Sequence, residues 1–194
     1  FDVELQDGWM SLELQLSPEF GKEGQVQSVI GVSRDVTERK LAQREDKLNK
    51  ARLEIIHTIR DINAPSEKTI CDMALEKMVE LSKSEIGFLG FIVDNERIME
   101  IHAWSSSAMN KCAIHDKPMA FPIDQAGLWG EPVRNRKSII YNDYNVPHPA
   151  KKGYPEGHVP VTRFMSVPVF DRDIIVAVAA VANKSNPYDK IDLK

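Results

Sequence analysis

The sequence predicts an α+β fold: an antiparallel sheet with helices on one face and long covering loops on the other, preceded by three strands and a long helix. Three observations carry this expectation. Apolar runs at 86–93 and 97–104 are separated by Asp94-Asn95-Glu96, the pattern of a hairpin. A second apolar pair, 165–170 and 174–181, closes the sheet. Between another apolar run at 138–141 and that pair lie about twenty residues holding Pro147, Pro149, Gly153, Pro155, Gly157 and Pro160. Proline and glycine at that density stop a helix or strand, while Tyr141, Tyr144, Tyr154, Val159, Val161 and Phe164 offer surface to bury. A long loop of that kind inside a domain is more often functional than idle, and it reads as a lid over a pocket.

In chain order, residues 1–6, 9–16 and 25–34 read as strands, the last two alternating apolar and polar residues around a turn with Pro18, Gly21 and Gly24. Asp35-Val36-Thr37-Glu38-Arg39-Lys40 then starts a helix, with Asp35 or Thr37 as cap and Asp35 positioned to pair with Arg39. The helix spans 36–62, with Leu41, Leu48, Ile55 and Ile62 at seven-residue spacing and Ala51 and Ile59 joining later turns. One reading lays this helix on its own domain. The other, which the polar early half favours, pairs it with a second copy as a parallel connector, so the protein is expected to be a homodimer. The expected organisation is a strand piece at 1–35, a connector helix at 36–62 and a main domain at 63–194.

Asn63-Ala64-Pro65-Ser66 breaks the connector and opens a helix from Glu67 to Ser82. Its stripe of Ile70, Cys71, Ala74, Leu75, Met78 and Leu81 makes Cys71 a small core residue. Residues 108–116 read as a short helix or loop, 119–123 as extended, and 126–136 as a short helix despite Pro132. A last helix is expected from Tyr188.

Composition excludes several classes. A net charge of -4 among 194 residues argues against general nucleic-acid affinity, and no run of about 18 apolar residues predicts a membrane span. Two cysteines, Cys71 and Cys112, fit a reducing cytoplasm better than a structural disulfide. An opening Phe-Asp-Val-Glu without an initiating Met reads as part of a longer chain. There is no G-x-S-x-G, Walker-A loop or G-x-G-x-x-G, and no kinase catalytic part. His57 in Ile55-Ile56-His57-Thr58 lacks the acidic neighbour of a phospho-accepting histidine.

Two stretches resemble known families. Asp35 to Lys40 is similar to the end of a PAS domain, whose final strand runs into an outgoing helix. From about Leu53 onward the chain resembles a GAF domain. The matching residues are Ile86-Gly87-Phe88-Leu89-Gly90, Gly127-Leu128-Trp129, Val133-Arg134, Asn142-Asp143-Tyr144, Met165-Ser166-Val167-Pro168-Val169, Ile175 to Val178 and Ala182-Asn183-Lys184. The lid Lys151-Lys152-Gly153-Tyr154-Pro155-Glu156-Gly157-His158 looks like a GAF subclass of prokaryotic and archaeal sensor histidine kinases. That resemblance implies a cytoplasmic sensing and dimerisation module. Its expected partners are a small-molecule ligand or cofactor, a kinase core in the same chain and a response regulator.

The candidate ligand-binding residues are Trp104, Cys112, Trp129, Asn142, Asp143, Tyr144, His158 and Arg163. In a GAF-like layout Trp104 stands at the pocket mouth and Trp129 opens the helix flooring it, where core packing is the competing role. Asn142, Asp143 and Tyr144 follow a strand, where turn formation competes. Arg163, near Lys151 and Lys152, suits an anionic group, although a solvated lid face accounts for the lysines. Cys112 follows Lys111, which favours its thiolate, against an inert buried thiol. By resemblance to haem-carrying members, Cys112 is the haem attachment and His158 the axial ligand, though no C-x-x-C-H is present. A zinc site from His102, His115, His148, His158 and Cys112 lacks helical ligand spacing. Two alternatives stand beside the sensor: a ligand-free dimerisation scaffold, and a methionine-sulfoxide-reductase-like enzyme using Cys71 and Cys112.

Overall fold

The computed structural model describes residues 2–5, 8–61, 66–111, 120–153 and 157–193. Contacts divide the chain into Phe1–Leu53 and Glu54–Lys194. In the first unit, β1 (Asp2–Leu5), β2 (Gly8–Phe20) and β3 (Val26–Asp35) form an antiparallel sheet in chain order. The β2–β3 turn uses Gly24 at φ +79, a left-handed conformation that glycine adopts without steric cost. β2 runs further than the sequence predicts, through Pro18, which pairs with Val29. Past Ser11 it is paired along one edge only, and such a strand tolerates a proline. Leu14, Leu16, Phe20, Val26 and Val29 share one face and stay exposed.

Helix α1 (Thr37–Asp61) starts where the sequence predicts. Asp35 Oδ1 accepts hydrogen bonds from the Thr37 amide (2.9 Å) and hydroxyl (2.6 Å), which lower the Asp35 pKa. The Thr37 hydroxyl also accepts from the Ser11 amide at 2.8 Å, tying the helix start to β2. Arg39 pairs with Glu13 at 3.4 Å, so the expected Asp35–Arg39 pair gives way to one across the sheet. Leu41, Leu53 and Ile56 are exposed and Ala51 is buried. Ile62 and the side chain of Ile59 lie outside the described part of the chain. No helix among the described residues is long and apolar enough to cross a membrane.

After the end of α1, the second unit continues with α2 (Glu67–Ser82), capped by Ser66 Oγ on the Thr69 amide at 3.1 Å and ended by Lys83 at φ 54. Then come β4 (Ile86–Val93), β5 (Ile98–Trp104), α3 (Ser106–Lys111), β6 (Ala120–Pro122), a 3-10 turn (Leu128–Gly130), α4 (Glu131–Asn135), β7 (Ile139–Tyr141), β8 (Phe164–Asp171) and β9 (Ile174–Ala182). The sheet is antiparallel in the order β6-β5-β4-β9-β8-β7. Asp94, Asn95 and Glu96 all take positive φ in the β4–β5 turn, the backbone such a hairpin needs.

Helix α2 packs on one face of the sheet through Cys71, Leu75 and Val79, against Ala103, Met165, Val181 and Tyr188. Gly87 makes this approach possible: a Cβ there would stand 2.8 Å from the Ala180 carbonyl and 3.0 Å from Val79 Cγ2. Beyond β9, the last helix expected from Tyr188 is instead a turn. Asp189 Oδ1 accepts from the amides of Ile191 (2.7 Å) and Asp192 (3.2 Å), a local bonding pattern that competes with a helix. Asp192 is there to meet Lys184 at 2.6 Å in an ion pair whose side chains are 1% and 8% exposed.

Two stability predictions follow from this packing. Lys184→Met strands the Asp192 charge and should cost about 3–5 kcal/mol in urea unfolding, with much of the loss recovered in the Lys184→Met/Asp192→Leu double variant. Gly87→Ala pushes against backbone that cannot yield and should cost about 1–3 kcal/mol by the same measurement.

Candidate functional site

The face of the sheet opposite α2 is laid out by strand register. One cross-sheet row runs Ile139, Ser166, Ala180, Phe88, Trp104, and the next runs Tyr141, Phe164, Ala182, Ile86. Residues directly opposite in antiparallel strands share a face, so these two rows form one floor. Over the floor pack Trp129 and the lid residues Tyr144, Val159 and Val161. Trp129 sets its ring edge against Phe121 at 4.6 Å and, with Phe88, joins this cluster to a second one around Met99, Ile101 and Val178. The Pro/Gly-rich segment therefore folds back over the sheet, as its apolar content predicts.

Two polar atoms on the first row are buried with no hydrogen-bond partner: Ser166 Oγ and Trp104 Nε1. Ser166 is fully buried. Among the described residues neither atom has a partner, and unpaired polar groups of this kind cost free energy when buried. At its outer end Trp104 also borders a groove of about 350 Å³ with Asp72, Glu76, Ser106 and Met109, between α2 and α3.

Polar tethers hold the described lid residues down. The Tyr144 amide donates to the Thr162 carbonyl at 2.8 Å. Asn183, at φ 64, accepts from the Thr162 amide at 2.9 Å and donates to the Pro160 carbonyl at 2.8 Å. Lys151 donates to the Tyr144 carbonyl and lies 4.5 Å over the Tyr144 ring, while Lys152 donates to the Gln125 carbonyl at 2.8 Å. Both lysines thus act as ties, where the sequence suggests a solvated face. Arg134 anchors the turn before α4 through the carbonyls of Ile123 (2.7 Å), Ala126 (2.9 Å) and Gly127 (2.8 Å).

A further group joins the lid to its base. Tyr141 donates to Glu131 Oε2, and His148 Nε2 lies 3.2 Å from the Tyr141 hydroxyl and 4.0 Å from Glu131 Oε1. The two rings meet edge-on at 5.2 Å. Burial first, and the Glu131 carboxylate next, push the Tyr141 phenol pKa up. Nothing local in the sequence marks Glu131, Tyr141 and His148 as partners, because three separate elements bring them together.

The predicted site residues divide accordingly. Trp104, Trp129 and Tyr144 lie on the floor or its cover. His158, half-buried in the lid, has Nδ1 2.7 Å from the Val159 carbonyl. Asn142 instead clamps Tyr188, donating to its carbonyl at 3.0 Å and accepting from its amide at 2.7 Å. Asp143 makes a turn, accepting from the Asn145 amide at 2.9 Å. Arg163 is odd-numbered on a strand whose even residues face the lid, and it donates to the Lys184 carbonyl at 3.2 Å, away from the floor. Cys112 and His115 lie outside the described residues.

On the α2 face, a bulge between Leu89 and Gly90 turns His102 against Phe91 (4.3 Å between rings) and Glu67 (3.2 Å). Cys71 is buried there too, and burial followed by the nearby Glu67 and Asp72 charges push its thiol pKa up. Among the described residues no three His, Cys, Asp or Glu side chains are grouped to hold a metal ion.

Asn142→Ala removes both Tyr188 bonds and should cost about 1–3 kcal/mol in thermal unfolding. Amide exchange at Tyr144 should stay near wild type, since that bond goes to Thr162.

With this geometry in hand, comparison with known proteins identifies the fold. A sensor from Methanosarcina acetivorans, named as methyl sulfide methyltransferase-associated, is 43% identical over 187 residues, covering 96% of this chain. The chain spans 19%, about a fifth, of that protein's length. The GAF domain of a phosphoenolpyruvate-protein phosphotransferase from Coxiella burnetii superposes with a TM-score of 0.61 at 16% identity, over 77% of this chain and 84% of that one. Free methionine-R-sulfoxide reductase from Neisseria meningitidis superposes at 0.58 with 10% identity, over 79% and 81%. At those identities the likeness concerns the fold alone. A family model described as GAF domain matches residues 64–194, more than half of the sequence, and so the chain belongs to the GAF domain family.

Proposed function

We propose that this chain is the sensing and dimerisation part of a two-component sensor histidine kinase. In this reading it binds a small ligand or cofactor between the lid and the floor and relays its state through α1. The observation that carries the reading is a lid tied over an aromatic floor that contains two buried, unpartnered polar atoms. The Methanosarcina relative's description as a sensor supports it. The strand unit at 1–35, with its PAS-like ending, is the remainder of an upstream sensor domain. The kinase core lies elsewhere in the parent chain, with a response regulator as its partner and the cytoplasm as its location. Leu41, exposed at 42%, and the heptad positions Leu48 and Ile55 form the seam along which two copies of α1 pair.

Haem is the cofactor that the donor set fits. A backbone carbonyl only accepts, so the His158 Nδ1 contact with Val159 places the ring proton on Nδ1, and as axial ligand His158 would bind the iron through Nε2. Its neighbour in the chain, Val159, is buried in the apolar cluster beneath the lid. Cys112, the attachment residue in this reading, lies outside the described residues. Haem would supply an iron that reports redox state or a diatomic gas. A change at His158 is passed to Val159 and the lid, and the two lid states bias the connector.

The aromatic packing around Phe88 and Trp129 also suits a scaffold that binds nothing, and the same experiment separates the two. A thiol enzyme is less well supported, because Cys71 is buried on the α2 face with its thiol held protonated. Protein expressed with haem supply should keep a Soret band through gel filtration and run as a dimer. The band should be lost in His158→Ala and Cys112→Ala. Leu41→Asp/Leu48→Asp should give monomers by light scattering. A colourless dimer with no ligand by native mass spectrometry would establish the scaffold instead.

A further inference from the structure

We propose that His148, with Tyr141 and Glu131, is a proton-operated latch that fastens the first half of the lid at neutral pH and releases it on acidification. The argument starts from donors and acceptors. The Ala150 amide donates to His148 Nδ1 at 3.2 Å, and a backbone N–H has no other role to play there. Nδ1 must therefore carry the lone pair, and the ring proton of the neutral imidazole sits on Nε2. From Nε2 that proton points to the Tyr141 hydroxyl at 3.2 Å, and the hydroxyl in turn donates to Glu131 Oε2. Every donor then has an acceptor in one arrangement: Ala150 to His148, His148 to Tyr141, Tyr141 to Glu131.

That arrangement requires a neutral ring. Adding a proton places a second N–H on Nδ1, facing the Ala150 amide, so two donors meet where one hydrogen bond stood. The turn there, closed by the Lys151 amide on the His148 carbonyl at 3.0 Å, carries the strain. Glu131, 4.0 Å away and mostly buried on α4, attracts the imidazolium. Arg134 on the same helix is held by the carbonyls of Ile123, Ala126 and Gly127, and Lys151 and Lys152 on the strap are spent on the carbonyls of Tyr144 and Gln125. Tyr141 on β7 stays neutral across the range, since its phenol pKa is raised. The lost acceptor at Nδ1 is what weakens the strap on acidification, while the ring keeps its contact with Glu131. Both ring nitrogens are committed in this way, so the latch rests on bonding geometry. It does not depend on whether the chamber takes a ligand.

The test is amide exchange of residues 144–151 in the wild-type chain at pH 7.5 and pH 5.5, corrected for intrinsic rates. Protection at Ala150 and Lys151 should fall by about tenfold or more at the lower pH, with α2 unchanged. His148→Gln should abolish the step, and His158→Gln should retain it. An equal step in His148→Gln, or none in wild type, overturns the proposal. Histidine carbon shifts give an independent readout that needs no variant. The Nε2–H tautomer of His148 at pH 7.5 is expected, and an Nδ1–H tautomer or a doubly protonated ring at that pH overturns the latch.

Discussion

Strand register in the GAF unit is the constraint from which the other placements follow. β9 lies between β4 and β8, and the pairs Phe88–Ala180 and Ala180–Ser166 lock the parity of all three strands. Because side chains alternate along a strand, a slip of one residue would exchange the two faces completely. Leu89, Met165 and Val181 therefore meet α2, while Phe88, Ser166 and Ala180 face the lid. Gly87 secures the arrangement, because α2 sits too close to β4 for any side chain there. Register shifts by a bulge opposite Leu89 and again between Val169 and Phe170; the first bears on the site. It sets both His102 and Ala103 on the α2 side and returns Trp104 to the floor.

The lid shows how a proline-rich segment is held without regular structure. Proline removes backbone donors and blocks ladder bonding, so side chains do the fastening. Asn183, Lys151 and Lys152 reach carbonyls that a strand would have satisfied. This explains why residues that look like a cationic lining are spent on backbone carbonyls of the lid and of the turn beside it. It also leaves the floor beneath short of charge, with Ser166 and Trp104 as its unpaired polar atoms. A mostly apolar floor with so few polar points is a poor match for an anion.

Much of the fold was legible in the sequence because its signals are local. The Ser66 cap, the α2 stripe, the positive-φ turn at 94–96 and the start of α1 at Asp35 all depend on residues a few positions apart. The errors have physical causes. Pro18 looked like a turn but lies in a strand paired along one edge, and Tyr188 looked like a helix start but is recruited by Asn142 and buried. Among the candidate site residues, Trp104, Trp129 and Tyr144 lie on the floor or its cover, where their size and position in the sequence suggest them. Asn142, Asp143 and Arg163 carry chemistry equally suited to a ligand or to backbone, and the backbone takes all three.

The sequence by itself determined most of the element order, the α+β class and the presence of a covered face, because periodicity, caps and turn residues act over short spans. Only the tertiary structure decided which face each polar residue serves and which distant groups meet. Glu131, Tyr141 and His148 become a hydrogen-bonded chain, and Lys184 finds Asp192, through contacts that no local pattern encodes. The physical reason is that a side chain's partner is set by how strands align and loops close.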